Sequence, residues 1–549
     1  MIRQVLAALL ATAIGTALAQ QPMPDAGRLL QETRPPPSLP QREAPKIGIE
    51  EAAGLAAPEG ERIHVARLRI TGATLFPEPE LHALVADAEG KELSLGELRR
   101  LAERVTQYYR SRGYLLARAY LPSQDVVKGE VQLAVLEGRL GEVRVDNAAG
   151  LGGAALAPLD RLRSGEAARS DVLERNLLLL SDLPGLEVKS TLRPGATLGA
   201  SDLLVEVATA RRLTGSLDFD TFGNRFSGKY RLGGTVNFNN PLRLGDQATL
   251  RALVSDERMT YLRGSYQLPV NGRGTRVGIA VSDMRYRLGK DLAPLDAEGQ
   301  ARSASLYAMH PFIRTRSLNL YAQVQYDHVK LQDRIKAAAT VVDKTLENWT
   351  VGFSGDFQDG LAGVNSFSAT FTAGDLDLDP VSQALDAVTA ASGGSFRKGN
   401  LTWLRLQQLG HDVGLYLSAT AQFASKNLDS SQKLALGGAY AVRAYPQNEA
   451  PGDEGYVATL EVRYALQPLP FGAWQATAFV DTGHVTFSKA AWAAGANSRT
   501  LSGAGIGLNA ALPHDWYLKA SLAWKLGSQR PVSDVDRSPR VWVQAGRYF

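Results

Sequence analysis

Segments in which apolar and polar residues alternate dominate the chain from about residue 213 to its last residue. In one of them Leu318 and Leu320 lie on one face and Asn319 on the other. About sixteen such segments can be delimited, starting near residues 213, 228, 247, 258, 274, 304, 315, 346, 363, 397, 412, 456, 472, 500, 515 and 539. An even number of alternating strands is typical of a closed single-chain outer-membrane barrel. The pattern predicts a transmembrane antiparallel β-barrel over residues 210–549.

The lengths of the links between these segments distinguish a membrane barrel from a soluble β-sandwich. The strands of a sandwich would also alternate apolar and polar residues. Short turns, such as 314–315, 359–363, 410–412 and 513–514, are interspersed with longer links. The longer links cover residues 287–303, 330–345, 375–396, 425–455, 485–499 and 527–538. Short periplasmic turns and longer extracellular loops characterise outer-membrane barrels. The alternating final segment ends on the aromatic residue Phe549, which we expect to face lipid on a strand that pairs with the first.

Composition places this barrel in an exported chain. Arg3 and an apolar run before Ala17-Leu18-Ala19 predict a signal peptide over residues 1–19. The remainder contains no apolar stretch of the roughly 18 residues that a transmembrane helix requires. The chain has no cysteine, which excludes a disulfide framework and a thiolate metal site. Its 60 basic and 56 acidic residues are spread along the sequence, so we expect no nucleic-acid partner.

Between the signal peptide and residue 62 the sequence is polar and proline-rich. Residues 20–34 contain a possible short helix with Asp25 as its N-cap, although the residues alone favour a disordered tail. Residues 35–61, which begin with three consecutive prolines, predict an extended linker.

Two successive α+β units are predicted at residues 62–139 and 140–209. Each has the order strand, helix, helix, strand, strand, which makes them an internal repeat. Ser94 and Glu97 form a capping box in the first unit, and Asp171 is expected to cap the corresponding helix in the second. The sheet edges of such units are templates for an added strand, so they predict protein binding. The alternative is a structural spacer.

Enzyme chemistry finds no support in the sequence. The histidines show no metal-ligand spacing; they are His64, His82, His310, His328, His411, His484 and His514. Phosphate-binding and nucleophile-elbow motifs are also missing, so we expect no catalysis, cofactor, metal or nucleotide. Gly503, Gly505 and Gly507 alternate on one side of a predicted strand and indicate close packing rather than a phosphate site.

One pair of charged residues stands out in the barrel. Arg443 lies in the long link 425–455, and Asp481 lies on a strand whose alternation points Phe479, Asp481 and Gly483 into the lumen. A carboxylate on the lumen wall could bind an arginine from a loop folded inward, in a bidentate pair. Spacing alone leaves open the alternative of two unrelated solvated charges.

Three motifs resemble those of two-partner secretion transporters, the outer-membrane proteins of the haemolysin-activator and filamentous-haemagglutinin-transporter (TpsB) type in the POTRA–barrel superfamily. The run 120–138 resembles the end of the family's first POTRA domain. Its signature positions are Tyr120, Pro122, Gln124, Gly129, Glu137 and Gly138. The segment Val442, Arg443, Ala444 and Tyr445 resembles the family's Val-Arg-Gly-Tyr loop, with alanine replacing glycine. Residues 479–483 fit its Phe-x-Asp-x-Gly strand motif. The resemblance covers nearly the whole mature chain.

This resemblance implies a sixteen-stranded barrel in the cell outer membrane, two POTRA domains in the periplasm and a helix at residues 20–34 that plugs the lumen. The implied partner is a large unfolded exoprotein, such as an adhesin, haemolysin, contact-dependent toxin or haem-scavenging protein, which the POTRA domains bind and the barrel translocates. Arg443 and Asp481 would tether the inward loop, with Tyr445 and Phe479 packing beside them. If the family's glycine needs a positive φ, Ala444 would be strained. A barrel-assembly factor and a passive porin-like channel remain the alternatives.

Overall fold

The computed structural model describes residues 23–33, 47–49, 62–197, 199–467 and 469–549. The predicted signal peptide and most of the predicted linker lie outside these residues. Two α+β units are followed by a closed antiparallel barrel of sixteen strands, which confirms the predicted fold class. Among the described residues, no helix is long and apolar enough to cross a membrane.

The N-terminal segments and the first unit contain three helices and six strands. The helices are α1 (Ala26–Glu32), α2 (Glu78–His82) and α3 (Leu95–Ser111), and the strands are β1 (Ile47–Ile49), β2 (Ile63–Val65), β3 (Arg67–Thr71), β4 (Lys91–Leu93), β5 (Arg118–Tyr120) and β6 (Glu130–Leu136). The predicted capping box forms: the Ser94 side chain accepts from the Glu97 N–H, and the Glu97 carboxylate accepts from the Ser94 N–H. Leu98, Leu101 and Val105 then bury one face of α3 against the sheet β3-β6-β5.

The signature residues of the run 120–138 lie at turns and pairings of this first unit. Gly129 and Gly138 have φ of 76° and 69°, and a Cβ at either would collide with backbone atoms, so both need glycine. The Gln124 side chain donates to the Gln132 carbonyl and accepts from its N–H. Tyr120 ends β5, opposite Ala134, and Pro122 follows it. These residues hold the fold of the unit together.

Glu137 anchors the segment that follows β3. Its buried carboxylate accepts hydrogen bonds from the backbone N–H groups of Thr74 and Leu75 and from the Tyr109 hydroxyl. Burial disfavours the ionised form, but hydrogen bonds from Thr74, Leu75 and Tyr109 outweigh it and hold the pKa of Glu137 below its ordinary value.

The second unit has the predicted strand, helix, helix, strand, strand order. Its elements are β7 (Arg139–Asn147), α4 (Gly153–Leu156), α5 (Ser170–Ser181), β8 (Leu186–Pro194) and β9 (Ala200–Thr209). The prediction that Asp171 caps α5 was wrong: the N-cap is Arg169, without a side-chain capping bond, and Asp171 lies in the first turn. Asp171 instead pairs with Arg169, and an acidic residue in this turn still complements the helix dipole.

The sheet of the second unit has the order β1-β8-β9-β7. Its outermost strand, β1, comes from the segment that the sequence predicted to be a linker. β1 pairs in parallel with β8, in the register Ile47 with Ser190, Gly48 with Thr191 and Ile49 with Leu192.

The barrel strands alternate lipid-facing and lumen-facing side chains, as predicted. The sixteen strands are β10 (Leu213–Asp220), β11 (Arg231–Asn239), β12 (Gln247–Ser255), β13 (Thr260–Pro269), β14 (Arg276–Arg287), β15 (Ala297–Arg314), β16 (Leu318–Ile335), β17 (Thr340–Gln358), β18 (Val364–Leu378), β19 (Gly394–Gln408), β20 (Val413–Ala424), β23 (Glu454–Ala465), β24 (Ala473–Thr486), β25 (Ser498–Leu512), β26 (Trp516–Lys525) and β27 (Arg540–Tyr548). β21 (Leu434–Ala435) and β22 (Pro451–Gly452) form a hairpin in the link between β20 and β23. β10 pairs with β27 to close the barrel, and the backbones of Gly215 and Phe549 exchange hydrogen bonds beside this seam.

Two of the predicted long links are mostly strand. β15 begins at Ala297, and β16 and β17 pair from Ile335 and Thr340 inward, so the links predicted at 287–303 and 330–345 were wrong. Polar residues such as Lys330 and Arg334 look like loop residues in the sequence. A strand that continues beyond the bilayer tolerates them because its outer face meets water. The link predicted at 375–396 contains a short helix, α6 (Pro380–Ala387).

Charged contacts fix the second unit against the periplasmic turns of the barrel. The Arg314 guanidinium donates two hydrogen bonds to the Asp182 carboxylate, at 2.6 and 2.7 Å. Arg276 donates to the Asp182 carbonyl at 2.6 Å, and Arg175 donates to the Pro311 carbonyl at 2.7 Å. These bonds hold α5 directly at the mouth of the lumen.

Candidate functional site

The lumen of the barrel is occupied by α1. The Asp25 side chain caps this helix by accepting from the Arg28 N–H at 2.9 Å. Ala26 and Leu29 are fully buried in an apolar cluster with lumen-facing side chains that include Met284, Leu331 and Leu346. A seven-residue helix is too short to be stable alone, so the barrel interior supplies its stability.

Polar contacts at both ends of α1 fix its position. The Ala26 N–H donates to the Asp333 carboxylate of β16 at 2.8 Å. At the other end, Arg231 of β11 donates to the Glu32 carbonyl at 3.2 Å, and the Asn448 amide donates to the Glu32 carboxylate at 2.6 Å. Asn448 belongs to the link between β20 and β23, so the helix binds both the barrel wall and this link.

The link between β20 and β23, residues 425–453, folds into the lumen and is called the inward loop below. Buried carboxylates at its base pin it to neighbouring segments. Asp453 pairs with Lys433 at 2.7 Å and accepts from the Lys489 N–H at 2.8 Å. Glu449 pairs with Arg499 at 2.6 Å and accepts from the Ser533 N–H at 2.9 Å, which ties the loop to the segment between β26 and β27.

Arg443 at the tip of the inward loop is bound to two carboxylates of the wall. Its Nε and Nη2 each donate to Asp481 of β24 at 2.9 Å, which is a bidentate pair. Its backbone N–H donates to the same carboxylate at 3.1 Å. Nη1 donates to Glu461 of β23 at 2.7 Å. The Asp481 side chain is fully buried, so its charge depends on these donors and on the Thr459 hydroxyl.

Aromatic side chains enclose this arginine. The Arg443 guanidinium carbon lies 3.2 Å from the centroid of the Phe479 ring, which is a cation–π contact. The Trp542 indole donates to the Arg443 carbonyl at 2.7 Å. Phe479 in turn covers Gly505, where a Cβ would lie 2.4 Å from the ring. Because Gly505 has no side chain, the Phe479 ring can pack directly against its backbone.

The remaining motif residues pack around the pair formed by Arg443 and Asp481. Val442, Ala444 and Tyr445 are buried in one apolar cluster, and the Tyr445 hydroxyl donates to the Gln529 carbonyl at 3.0 Å. Gly483 faces Leu436 of the inward loop. The predicted candidates of the loop and of β24 thus converge in space, whereas the signature residues of the run 120–138 lie apart in the first unit.

Ala444, which stands where the similar family motif has glycine, adopts a negative φ, so the strain expected for a positive φ does not arise. Its Cβ points at Gly503 of β25, where an added Cβ would lie only 2.5 Å away. The column of glycines predicted to allow close packing therefore makes room for the loop tip, with Gly503 accommodating Ala444.

We expect Gly503→Ala to displace the tip of the inward loop, because the two methyl groups cannot coexist at this distance. Protease cleavage of the loop in intact cells would be measured and should increase at least threefold. The double variant Gly503→Ala/Ala444→Gly removes the contact between the two methyl groups and should restore most of the protection. Gly264→Ala is the matched control, since nothing lies within 4 Å of its added Cβ. Equal cleavage of all variants would contradict this packing.

Sequence reasoning missed Glu461, Trp542 and the Glu449–Arg499 pair. Glu461 becomes visible only when strand register places it opposite Phe479. Trp542 and the Glu449–Arg499 pair become visible only when the inward loop packs against the distant strands β25 and β27. Within the described part of the chain, no group of His, Cys, Asp or Glu side chains is arranged to hold a metal ion.

Comparisons with known proteins agree with this architecture. Residues 199–510 match the family described as haemolysin secretion/activation protein ShlB/FhaC/HecB, and residues 63–138 match the ShlB-type POTRA domain. The chain is 28% identical over 477 residues to the heme/hemopexin transporter protein HuxB of Haemophilus influenzae, covering 86% of this chain and 84% of HuxB. It is 26% identical over 533 residues to the outer membrane transporter CdiB of Escherichia coli, covering 90% and 86%. A solved structure of CdiB from Escherichia coli superimposes with a TM-score of 0.71 at 23% identity, over 91% of this chain and 93% of that one.

Proposed function

The chain belongs to the haemolysin secretion/activation family ShlB/FhaC/HecB, and we propose that its plug helix and inward loop control the passage of an unfolded exoprotein through the lumen. The family match confirms the prediction of a two-partner secretion transporter of the outer membrane, with its POTRA domains in the periplasm. The observation that carries the proposal is that two segments fill the lumen. One is α1, and the other is the inward loop, which buried ion pairs bind to the wall.

Cargo capture takes place at the periplasmic units. An exposed strand edge offers unpaired N–H and C=O groups to any extended chain, so recognition requires little of the cargo's sequence. The contacts between Arg314 and Asp182 fix the second unit beside the lumen, so a captured segment starts near the pore. The cargo is a large secreted exoprotein, and HuxB, named for heme and hemopexin, makes a haem-scavenging exoprotein one candidate.

The plug helix must then leave the lumen. An α-helix with its side chains is about 10–12 Å across, so its departure leaves room for an extended chain. Beside it lies a cavity of ≈ 410 Å³ whose wall is rich in hydroxyl and amide side chains, including Ser354, Thr370 and Asn400. Such uncharged groups exchange hydrogen bonds with a passing backbone, and the charged residues of the same wall, Arg263, Lys398 and Asp327, carry both signs.

The inward loop stays attached to the wall through Arg443 while the cargo passes. Leaving one partner of a buried ion pair unpaired costs about 3–5 kcal/mol, so the attached loop is the dominant state. The loop therefore narrows the lumen on the side of β23 to β27 and leaves the polar wall of β13 to β19 as the path. Folding of the exoprotein outside the cell favours outward movement of the cargo over its return.

The test compares the surface and culture-medium proteins of a strain lacking this gene with those of the complemented strain. We expect one large exoprotein to disappear from the outside and to return with the gene. A general loss of other outer-membrane barrels would instead favour an assembly factor, and unchanged secretion with altered uptake of small solutes would favour a passive channel.

A further inference from the structure

We infer that the outward face of β14, β15 and β16, near their extracellular ends, binds the phosphorylated headgroup of a glycolipid of the outer leaflet, of the lipid A type. The binding surface is called the cationic patch below and consists of Arg285, Arg302 and Lys330 with the carboxylate of Asp283. The inference depends on the outer-membrane location of the barrel and not on the proposed roles of α1 and the inward loop.

The cationic patch lies on the lipid side of the barrel wall. The sequence neighbours of its four residues are buried in the apolar cluster that contains α1; they are Met284, Ala301 and Leu331. Because successive side chains of a strand point to opposite faces, the patch residues point outward. The side chains of Arg285 and Arg302 are accordingly 66% and 63% exposed.

The patch lies just outside the apolar band of the barrel. On the same face, the ring centroids of Tyr326 on β16 and Trp349 on β17 are 5.0 Å apart, and such residues are typical of a membrane–water interface. Leu306 and Ile279 continue this cross-strand row and are each 57% exposed. Lys330 follows Tyr326 by four residues, which places it roughly 10 Å farther from the membrane centre on a tilted strand. A lipid whose acyl chains pack on the apolar row therefore presents its headgroup to the patch.

The charges of the patch call for an anion. Arg302 and Lys330 lie directly opposite each other in the register of β15 and β16, where like charges repel. Asp283 accepts from the Nε of Arg302 at 3.1 Å and from the Nε of Arg285 at 3.0 Å, so two guanidinium groups share one carboxylate. No carboxylate in the described part of the chain pairs with the Lys330 ammonium. A phosphate between Arg302 and Lys330 would replace their repulsion by two ion pairs.

This concentration of positive charge is confined to one side of the barrel. On the far side, the outward positions at the extracellular ends of β24 and β25 contain no lysine or arginine; they include Thr482, His484, Thr500 and Ser502. On the adjacent β17 the outward positions are acidic, with Glu347 beside His328 and with Asp343 accepting from Gln332. The positive charge therefore ends at β16. Such a bounded surface fits one phosphorylated lipid better than a general attraction to the leaflet.

Native mass spectrometry of the full-length protein in detergent tests this inference. The probes are bisphosphorylated lipid A and the same lipid A after enzymatic removal of its phosphates. We expect the wild type to retain one bisphosphorylated molecule and at least fivefold less of the dephosphorylated lipid. Arg302→Gln/Lys330→Gln should retain at least fivefold less bisphosphorylated lipid than the wild type. Equal retention of both lipids by the wild type, or of lipid A by the wild type and this variant, would overturn the inference.

A matched control removes the same two charges elsewhere. Lys91→Gln/Arg99→Gln changes exposed positions of the first periplasmic unit and should retain lipid A as the wild type does. Heat-modifiable mobility shows that each barrel is folded and gives a second readout. Lipid A should raise the unfolding temperature of the wild type and of the control, but not that of Arg302→Gln/Lys330→Gln. An equal rise in all three proteins would overturn the patch, and displacement of lipid A by inorganic phosphate would show a site for free anions instead.

Discussion

Cells that carry Arg443→Ala are expected to secrete at least tenfold less exoprotein than cells with the wild-type transporter, at equal barrel level in the outer membrane. The substitution leaves the fully buried Asp481 without its guanidinium partner and removes one of the two arginines that bind the nearly buried Glu461. Leaving such charges unpaired costs about 3–5 kcal/mol, which the loop can avoid only by moving and admitting water. A detached loop would no longer keep the path along the polar wall open. Secretion would be measured by immunoblot of the medium.

Two further variants separate the tether from a general effect of charge. Arg443→Lys keeps the charge but loses the planar fork that makes the bidentate bond, so we expect an intermediate loss. Arg463→Ala also removes a partner of Glu461 but does not touch the inward loop, so secretion should stay within twofold of the wild type. If Arg443→Ala secretes normally while the barrel is present, the tether has no role in transport.

The second large effect, on the conductance of the channel, is expected from Leu29→Asp in the plug helix α1. Leu29 is fully buried among apolar lumen side chains, and a carboxylate there has no partner. Losing the buried leucine forfeits about 2 kcal/mol, and desolvating the new charge adds several more, so the helix leaves the lumen. We expect the mean conductance in planar bilayers to rise at least tenfold, with secretion retained because the plug must leave in any case.

The control for this variant is Leu385→Asp on α6, where the leucine is 64% exposed. Its conductance should match that of the wild type. An unchanged conductance of the Leu29→Asp protein, with the barrel shown to be folded by its heat-modifiable mobility, would mean that α1 does not block the pore.

The alternation of apolar and polar residues was enough to predict most strands of the barrel. Fourteen of the sixteen strands begin within three residues of the predicted start, and the exceptions, β15 and β17, begin six or seven residues earlier. Both continue beyond the bilayer, where the outer face turns polar and the period-two contrast disappears. Alternation also predicted the lumen side of Asp481, because the two-residue period fixes which face each residue occupies.

Other features could not follow from a local pattern. The residues of 20–34 favoured a disordered tail, because the helix forms only against an apolar lumen wall assembled from distant strands. The pairing of β1 with β8 joins segments about 140 residues apart, and a strand of three residues has no readable period. The room for the Ala444 side chain depends on Gly503, which lies beneath it only because the inward loop folds against β25.

The central claim is that an exoprotein passes through the lumen, and a cysteine cross-link to a stalled cargo tests it most directly. Ser354 lines the lumen cavity, whereas Val351 on the same strand is 44% exposed on the outer face. The cargo would carry one cysteine and a tightly folded C-terminal domain that halts it midway. We predict a cross-link to Ser354→Cys and none to Val351→Cys. Cross-linking to Val351→Cys alone, or to neither variant while the cargo still reaches the surface, would contradict the lumen path.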